Sequence, residues 1–270
     1  MAITTNIYSS KNFKKLSILL SQDGLSFLYL NADNAFVHEV YQDYRADEAI
    51  PLQAENLINE ELKKFTDFQF AIDLIYQNID YTLAPSSLVE HHNMSDFIKY
   101  NVQLYEGDNY SKDSTNFHDI STLFIPFANV NNQLVETFGE FKHEHQTSRY
   151  LKILGTSHYS HPHCYCFINQ HQVDIAILSQ NKLELYNTFT AETVEDVIYV
   201  ILYCLEVNAF DRTEIQLQLI NFVRSYKEKA FSAYLEYYIK KFEFKDMITS
   251  EHSDLNDNPH LHNHLFMNSL

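Results

Sequence analysis

Short apolar-rich runs separated by polar turns open the sequence. Leu16-Ser17-Ile18-Leu19-Leu20-Ser21, Leu25–Leu30 and Ala35–Tyr41 each read as a strand. Gln22-Asp23-Gly24 between the first two predicts a tight turn, because Asp-Gly tolerates positive φ, and Ala32-Asp33-Asn34 predicts a second one. The three strands form an expected antiparallel meander. From Ala54 to Phe65 the period changes: Leu57, Ile58, Leu62 and Phe65 fall on one helical face, leaving Glu60, Glu61, Lys63 and Lys64 for solvent. Strands are expected over Phe68–Tyr76 and Asp80–Ala84, a helix over Met94–Val102, and an exposed loop over Glu106–Asn116. A strand over Thr122–Phe127, a helix over Asn131–Phe138 capped by Gly139, a strand over Phe141–His145 and a helix over Ser148–Leu154 follow.

Polar residues Thr156–Pro162 separate this half from a second one. His163–Asn169, Val173–Leu178 and Leu183–Phe189 predict another meander. A nearly all-apolar helix then starts at Thr193, with Asp196 placed as its third-position partner; such a helix is normally buried. A strand over Glu214–Ile220, a helix over Arg224–Tyr238 and a strand over Ile239–Phe244 complete the half. The two meanders superpose with an offset of 148: Leu25, Phe27 and Tyr29 meet Val173, Ile175 and Ile177, and Ala35 and Val37 meet Leu183 and Leu185. A competing register aligns Leu20–Leu25 with Leu178–Leu183 letter by letter. The 148 offset is preferred because it keeps strand phase, and strand phase decides which face is buried. A repeat of this length implies duplicated halves. The division is a first half over 13–155 with an inserted α/β segment at about 54–106, a second half over 163–245, and a polar C-terminal tail over 246–270.

Two β-β-β-α-β-α halves with mixed sheets resemble the duplicated, ribonuclease H-like fold of the actin-like ATPases. The run Leu16-Ser-Ile-Leu-Leu-Ser-Gln-Asp-Gly-Leu-Ser-Phe27 is similar to the start of the bacterial domain-of-unknown-function family 3822. Leu183-Glu-Leu-Tyr-Asn-Thr-Phe189 with Glu195-Asp196, Thr82-Leu-Ala-Pro85, and Phe138-Gly-Glu-Phe-Lys-His-Glu-His145 are similar to further segments of it. The resemblance implies an α/β actin-like ATPase fold and no assigned activity.

Actin-like ATPases hold phosphates on D-x-G-[ST]-type turns between the first two strands of each half. Here the first turn has Asp23 directly followed by Gly24, so the spacing is wrong, and the second, Asn169-Gln170-His171-Gln172, has neither carboxylate nor glycine. We read the phosphate site as lost. If a nucleotide binds at all, Asp23 and Gly24 are the residues expected to meet it. The four glycines, Gly24, Gly107, Gly139 and Gly155, are never closer than 16 positions, which excludes a dinucleotide fingerprint and a P-loop.

The charge balance sets the expected partners. Nineteen Lys and Arg against 36 Asp and Glu give a net charge of −17, which repels phosphate backbones and anionic lipid heads. Apolar residues at 45% are enough for a packed core. The longest apolar run, Val197–Leu205, is too short for a membrane span, which takes about 20 residues. No signal peptide is read, and the three cysteines Cys164, Cys166 and Cys204 fit reduced thiols, so a cytoplasmic location is expected.

Other constellations read as structure. His158, His161, His163, Cys164 and Cys166 offer metal-ligand types at close spacing, but on a strand both cysteines face one side and His163 the other, so no metal site is expected. His260, His262 and His264 are placed in a solvated tail, and His143 and His145 on an edge or surface face. Ser86-Ser87 near His91-His92 lacks a nucleophile elbow. Six basic residues, Arg224 to Lys245, interleave with acids and read as a solvated helix face. Nineteen Tyr and 20 Phe, with no Trp, fill a core and also suit a partner surface, since tyrosine is favoured at interfaces.

The expectation is a cytoplasmic protein with a degenerate actin-like ATPase fold, acting without catalysis, cofactor, nucleic acid or membrane insertion as an interaction or scaffold module for an unidentified protein. The competing reading is a divergent ATP-binding or phosphotransfer protein using the cleft between the halves.

Overall fold

The computed structural model describes residues 13–65, 70–117, 119–223, 226–245 and 258–269. The chain divides into two compact units, one running to Gly155 and taking in Met267–Leu270, the other Thr156–Phe266. No helix among the described residues is long and apolar enough to cross a membrane.

In the first unit, β1 (Lys15–Leu20), β2 (Gly24–Leu30) and β3 (Phe36–Asp43) form the antiparallel meander. Helix α1 (Ile50–Leu62) starts earlier than the apolar pattern suggested because Pro51 sits in its first turn, where the missing N–H costs nothing. Strand β4 (Ala71–Tyr76) then pairs parallel with β1, and β8 (Lys142–His145) parallel with β4, giving the order β3-β2-β1-β4-β8. Between them come β5 (Tyr81–Pro85), the four-residue helices α2 (Ser86–Val89) and α3 (Ser95–Ile98), β6 (Ser111–Ser114), β7 (Ile120–Phe124) and α4 (Ala128–Phe138); α5 (Gln146–Leu154) follows β8. β5, β7 and β6 make a separate three-stranded sheet. The expected loop at 106–116 thus contains a strand, held by pairing of Ser111–Ser114 with β7 that no local signal announces.

The first sheet has two different faces. Leu16, Ile18 and Leu20 stand opposite Tyr29, Phe27 and Leu25 and beside Ile72, Leu74 and Tyr76, so one face is apolar. α1 and α4 pack together, α1 reaching the Tyr29 hydroxyl through Glu61 and α4 reaching the Tyr76 hydroxyl through Asn131. Lys15, Ser17 and Asp73 belong to the other face, together with Glu144.

The second unit repeats the plan. Strands β9 (His163–Ile168), β10 (Gln172–Ser179), β11 (Lys182–Thr190), β12 (Gln216–Asn221) and β13 (Lys241–Phe244) take the order β11-β10-β9-β12-β13. Helices α6 (Val194–Val207) and α7 (Glu228–Tyr238) follow β11 and β12. The apolar face of this sheet, including Cys164, Cys166, Val173, Ile175 and Ile177, packs on Val197, Ile201 and Leu205 of α6 and on Phe231 and Leu235 of α7. Thr193 closes the capping box with Asp196 as the sequence suggested.

Duplication is visible in the hydrogen-bond register. Leu20 pairs with Leu25 as Ile168 pairs with Val173, and Leu16 with Tyr29 as Cys164 with Ile177, an offset of 148. The third strands differ: Leu25 faces Gln42 while Val173 faces Phe189, an offset of 147. The gapless alignment of Ala35 and Val37 with Leu183 and Leu185 is therefore corrected by one residue, since turn geometry sets hairpin register. The extra segment is also relocated. α1 and β4 match α6 and β12, so what the first unit adds is β5 to β7, not residues 54–106.

Residues 246–257 of the expected tail lie outside the described residues. Its remainder is not a solvated tail: Pro259–Met267 forms helix α8, and Leu261, His262, Asn263, His264 and Phe266 are buried. Phe266 packs on Phe167 and Phe222, which gives this polar segment an apolar anchor.

Candidate functional site

The corner between β1 and β2 is closed by its own side chain. The Ser21 hydroxyl donates to the Gly24 carbonyl at 2.8 Å and accepts from the N–H groups of Gly24 at 3.1 Å and Asp23 at 3.3 Å. The turn amides that an anion would need thus point at Ser21. Gly24 is confined as well: a Cβ there would lie 2.4 Å from the Gln42 carbonyl oxygen and 2.7 Å from the Tyr41 hydroxyl. Gly24 pairs with Asp43, so Asp43 and Asp23 both border the corner. Burial, then these two carboxylates, push the Tyr41 phenol above its ordinary range. Asp23 and Gly24 therefore sit in a self-satisfied, acidic corner.

The corner between β9 and β10 differs. Asn169 N–H closes it on the Gln172 carbonyl at 2.8 Å. Two residues into β10, Asp174 is fully buried on the face opposite the α6 contacts. Its carboxylate accepts from the hydroxyls of Thr188 at 2.6 Å and Tyr186 at 3.1 Å, and from the side-chain amides of Gln172 at 3.4 Å and Asn169 at 3.5 Å. Burial lifts its pKa to about 6 against the pull of these donors. Sequence reasoning passed over Asp174, a single polar letter inside an apolar strand. The available signal was cross-strand: Thr188 stands directly opposite it and Tyr186 on the same face.

Behind the first sheet lies a buried charged cluster. Arg149 of α5 reaches Asp73 through Nη2 and Glu144 through Nε, each at 2.5 Å. Lys15 meets the second Asp73 oxygen at 2.9 Å, and Lys152 pairs with Glu144. Asn268 receives a hydrogen bond from Lys15 at 3.0 Å and donates to the Ser17 hydroxyl at 3.1 Å. Burial alone would raise Asp73, but Arg149 and Lys15 outweigh it and hold it below the carboxylate range. Two cations against Asp73 and three against Glu144, the third being Lys142 at 3.5 Å, neutralise the carboxylates internally.

Next to this cluster, Asp113 of β6 accepts the His145 N–H at 2.7 Å and the Ser148 hydroxyl at 2.8 Å; burial raises it to about 6, partly offset by those two donors. His145 is buried rather than on a surface face as its alternation suggested. Its Nδ1 accepts from the Thr147 N–H at 3.2 Å, which leaves Nε2 to donate to the Asn78 carbonyl at 3.1 Å; burial, opposed by the Asn78 contact, lowers its pKa to about 3. A neutral ring with both nitrogens engaged neither binds metal nor shuttles protons.

The other sequence candidates are dispersed. Cys164 and Cys166 point into the core, where burial first and neighbouring thiols second raise their pKa values, while the His163 ring lies by Tyr159 and Tyr165. No group of three or more potential metal ligands converges among the described residues. Ser86 bonds Ser121, and Ser87 bonds Asp119, with His91 and His92 exposed, so no nucleophile–base pair forms. Lys245 covers the Tyr165 ring and Lys241 faces Glu214 at 4.0 Å, as on an ordinary charged surface.

Residues 4–242 match the family DUF3822, described as a protein of unknown function. No curated protein matches the sequence. Among solved structures, a Bacteroides thetaiotaomicron protein with actin-like ATPase fold and unknown function shares 17% identity at a TM-score of 0.74, covering 96% of this chain and 97% of its own. A PilM–PilN type IV pilus biogenesis complex shares 10% identity at a TM-score of 0.58, covering 95% and 98%. These likenesses show the fold: an α/β actin-like ATPase fold with two sheet-containing units.

Proposed function

We propose that this chain, which belongs to the DUF3822 family, serves as a non-catalytic protein-interaction or scaffold module on an actin-like ATPase fold. The observation that carries this reading is the closed first corner. In this fold the β1–β2 turn is where backbone amides are expected to meet phosphate oxygens, and here Ser21 engages the Asp23 and Gly24 amides while Asp23 and Asp43 add negative charge beside them. The second corner supports it, being built without glycine, its Asn169 and Gln172 side chains turned to Asp174. The charged cluster behind the first sheet also favours it, since Arg149, Asp73 and Glu144 are buried and engage one another rather than a ligand. One neighbour of the same fold is named for its complex with another protein, which supports the reading.

Thermal unfolding of the full chain titrated with Mg-ATP, Mg-ADP and Mg-GTP tests the proposal. A ligand of the folded state raises the melting temperature, by linkage. The expected result is no shift with any nucleotide. A dose-dependent rise that Asp23→Ala abolishes would establish the rival reading, a nucleotide-binding protein that uses the first corner.

A further inference from the structure

The second unit carries a cluster of outward-facing aromatic residues on two neighbouring helices. Tyr199 and Tyr203, one turn apart on α6, are exposed and stack with ring centroids 6.1 Å apart. Tyr234, Tyr237 and Tyr238 are exposed on α7, and Tyr237 retains 84% of its accessible surface. The two helices are tied by the Tyr234 hydroxyl donating to Glu195 at 2.8 Å. Both helices connect into parallel strands of one sheet and pack on its same face, so they run in the same direction. One turn beyond this contact come Tyr199 on α6 and Tyr238 on α7, so exposed rings stand on both helices next to the tie between them.

The charge around these rings has one sign on α6. Between Lys182 and Arg212 there is no basic residue, while Glu184, Glu192, Glu195, Asp196, Glu206 and Asp211 are all exposed. Glu206 lies in the last turn of α6, where the helix dipole favours a cation and no basic side chain is supplied. It is adjacent to Val207, an exposed apolar side chain. α7 is balanced, with Lys227 and Lys229 against Glu228 and Glu236. Tyrosine faces attract cations and tyrosine is favoured in interfaces.

We infer that the α6–α7 face is a docking surface for a Lys- or Arg-bearing segment of a partner protein. Its cationic heads lie over the Tyr199 and Tyr203 rings and against Glu195 and Glu206, and its apolar side chains cover Val207 and Tyr238. Nucleic acid and anionic lipid are repelled by the same acids. A second copy of this chain would bring α6 acids against α6 acids across a two-fold axis, which opposes self-association there. The inference rests on the interaction-module reading above and supplies its surface and the chemistry of its partner.

The test uses the full chain and a fluorescein-labelled peptide of alternating arginine and leucine, with its glutamate counterpart as control, read by fluorescence anisotropy. The arginine peptide is expected to bind and the glutamate peptide not to bind. Tyr199→Ala/Tyr203→Ala should weaken binding at least roughly tenfold, as loss of interface tyrosines does. Glu195→Gln/Glu206→Gln should weaken it too, while Tyr199→Phe/Tyr203→Phe, which keeps both ring faces, should not. Unchanged melting temperatures in these exposed-site variants establish that they fold. Equal binding to wild type and the alanine variant would reveal diffuse attraction to an acidic body and overturn the assignment, as would no binding at all. Self-association by sedimentation that disappears in the alanine variant would make the occupant a second copy and overturn it equally. The nucleotide titration reports separately on the underlying reading, whatever the peptide does.

Discussion

The Arg149 guanidinium on α5 lies 2.5 Å from the Asp73 carboxylate on interior strand β4, with both side chains under 5% exposed. An ion pair this dry couples a helix to a strand at a sequence separation of 76 residues. Removing Arg149 leaves buried Asp73 with Lys15 as its one remaining cation and takes from Glu144 its one buried cationic partner. Arg149→Met is expected to cost roughly 3–5 kcal/mol in urea unfolding, whereas Asp73→Leu/Arg149→Met together should cost clearly less than the two single changes summed. Additive losses would mean that the pair is not coupled.

Asp174 gives a pH signature. Its folded pKa is about 6, above the ~3.9 of a free aspartate, so between these values the folded state keeps a proton that the unfolded chain has released. The stability this group contributes is fully present below about pH 4 and is lost as pH rises through 6, by roughly 2–3 kcal/mol. Asp113 acts in the same sense, while His145, held neutral down to about 3, acts oppositely between there and about 6.5. Comparing wild type with Asp174→Asn isolates the first contribution: the wild type's advantage should shrink from pH 4 to pH 6. A constant difference would place the ionisation elsewhere.

Gly24 is fixed by space. Gly24→Ala drives a methyl group into the Gln42 carbonyl and the Tyr41 hydroxyl, and should lower the melting temperature in differential scanning calorimetry. Because the closer of the two atoms is backbone, adding Tyr41→Phe should not restore stability. Full rescue by the second change would show that the ring, not the strand pairing, sets the limit.

The Thr193 cap is a smaller, local effect. Thr193→Ala removes the acceptor for the Asp196 N–H and should cost about 1 kcal/mol, read by chemical denaturation. A change near zero would mean the first turn of α6 is held from elsewhere.

The thiols should be silent in the native protein. Cys164 and Cys166 are fully buried with raised pKa values, and burial pushes Cys204 up to about 11. Ellman's reagent is expected to titrate none of the three in buffer and all three in guanidinium. Rapid modification of one thiol in buffer would contradict the core placement.

What the sequence revealed follows from range. The meanders, the Asp23-Gly24 turn, the Thr193–Asp196 box and the offset of 148 are all written in residues within a few positions of one another or in repeated phase. Strand β6 and the burial of Asp113 depend on β7 and α5 instead, and nothing near Ser111–Ser114 marks them. The polar letters of α8 read as solvated because hydropathy has no term for histidines and an asparagine buried on a helix that Phe266 anchors. At the candidate site, the absence of a D-x-G-[ST] turn was legible, but the Asp174 cage was not. It is assembled from a corner, a strand and its neighbour, each unremarkable alone.

The strand order has a consequence for biosynthesis. In each sheet the strand made first, β1 or β9, ends at the centre, and its second neighbour, β4 or β12, arrives only after a helix has been translated. A nascent meander on the ribosome therefore exposes one bare hydrogen-bonding edge for that interval. β1 and β9 present ladders of equal length to their parallel neighbours, Lys15–Leu20 to β4 and His163–Ile168 to β12. Until β4 or β12 is seated that edge is a site for mispairing, and its closure completes the sheet.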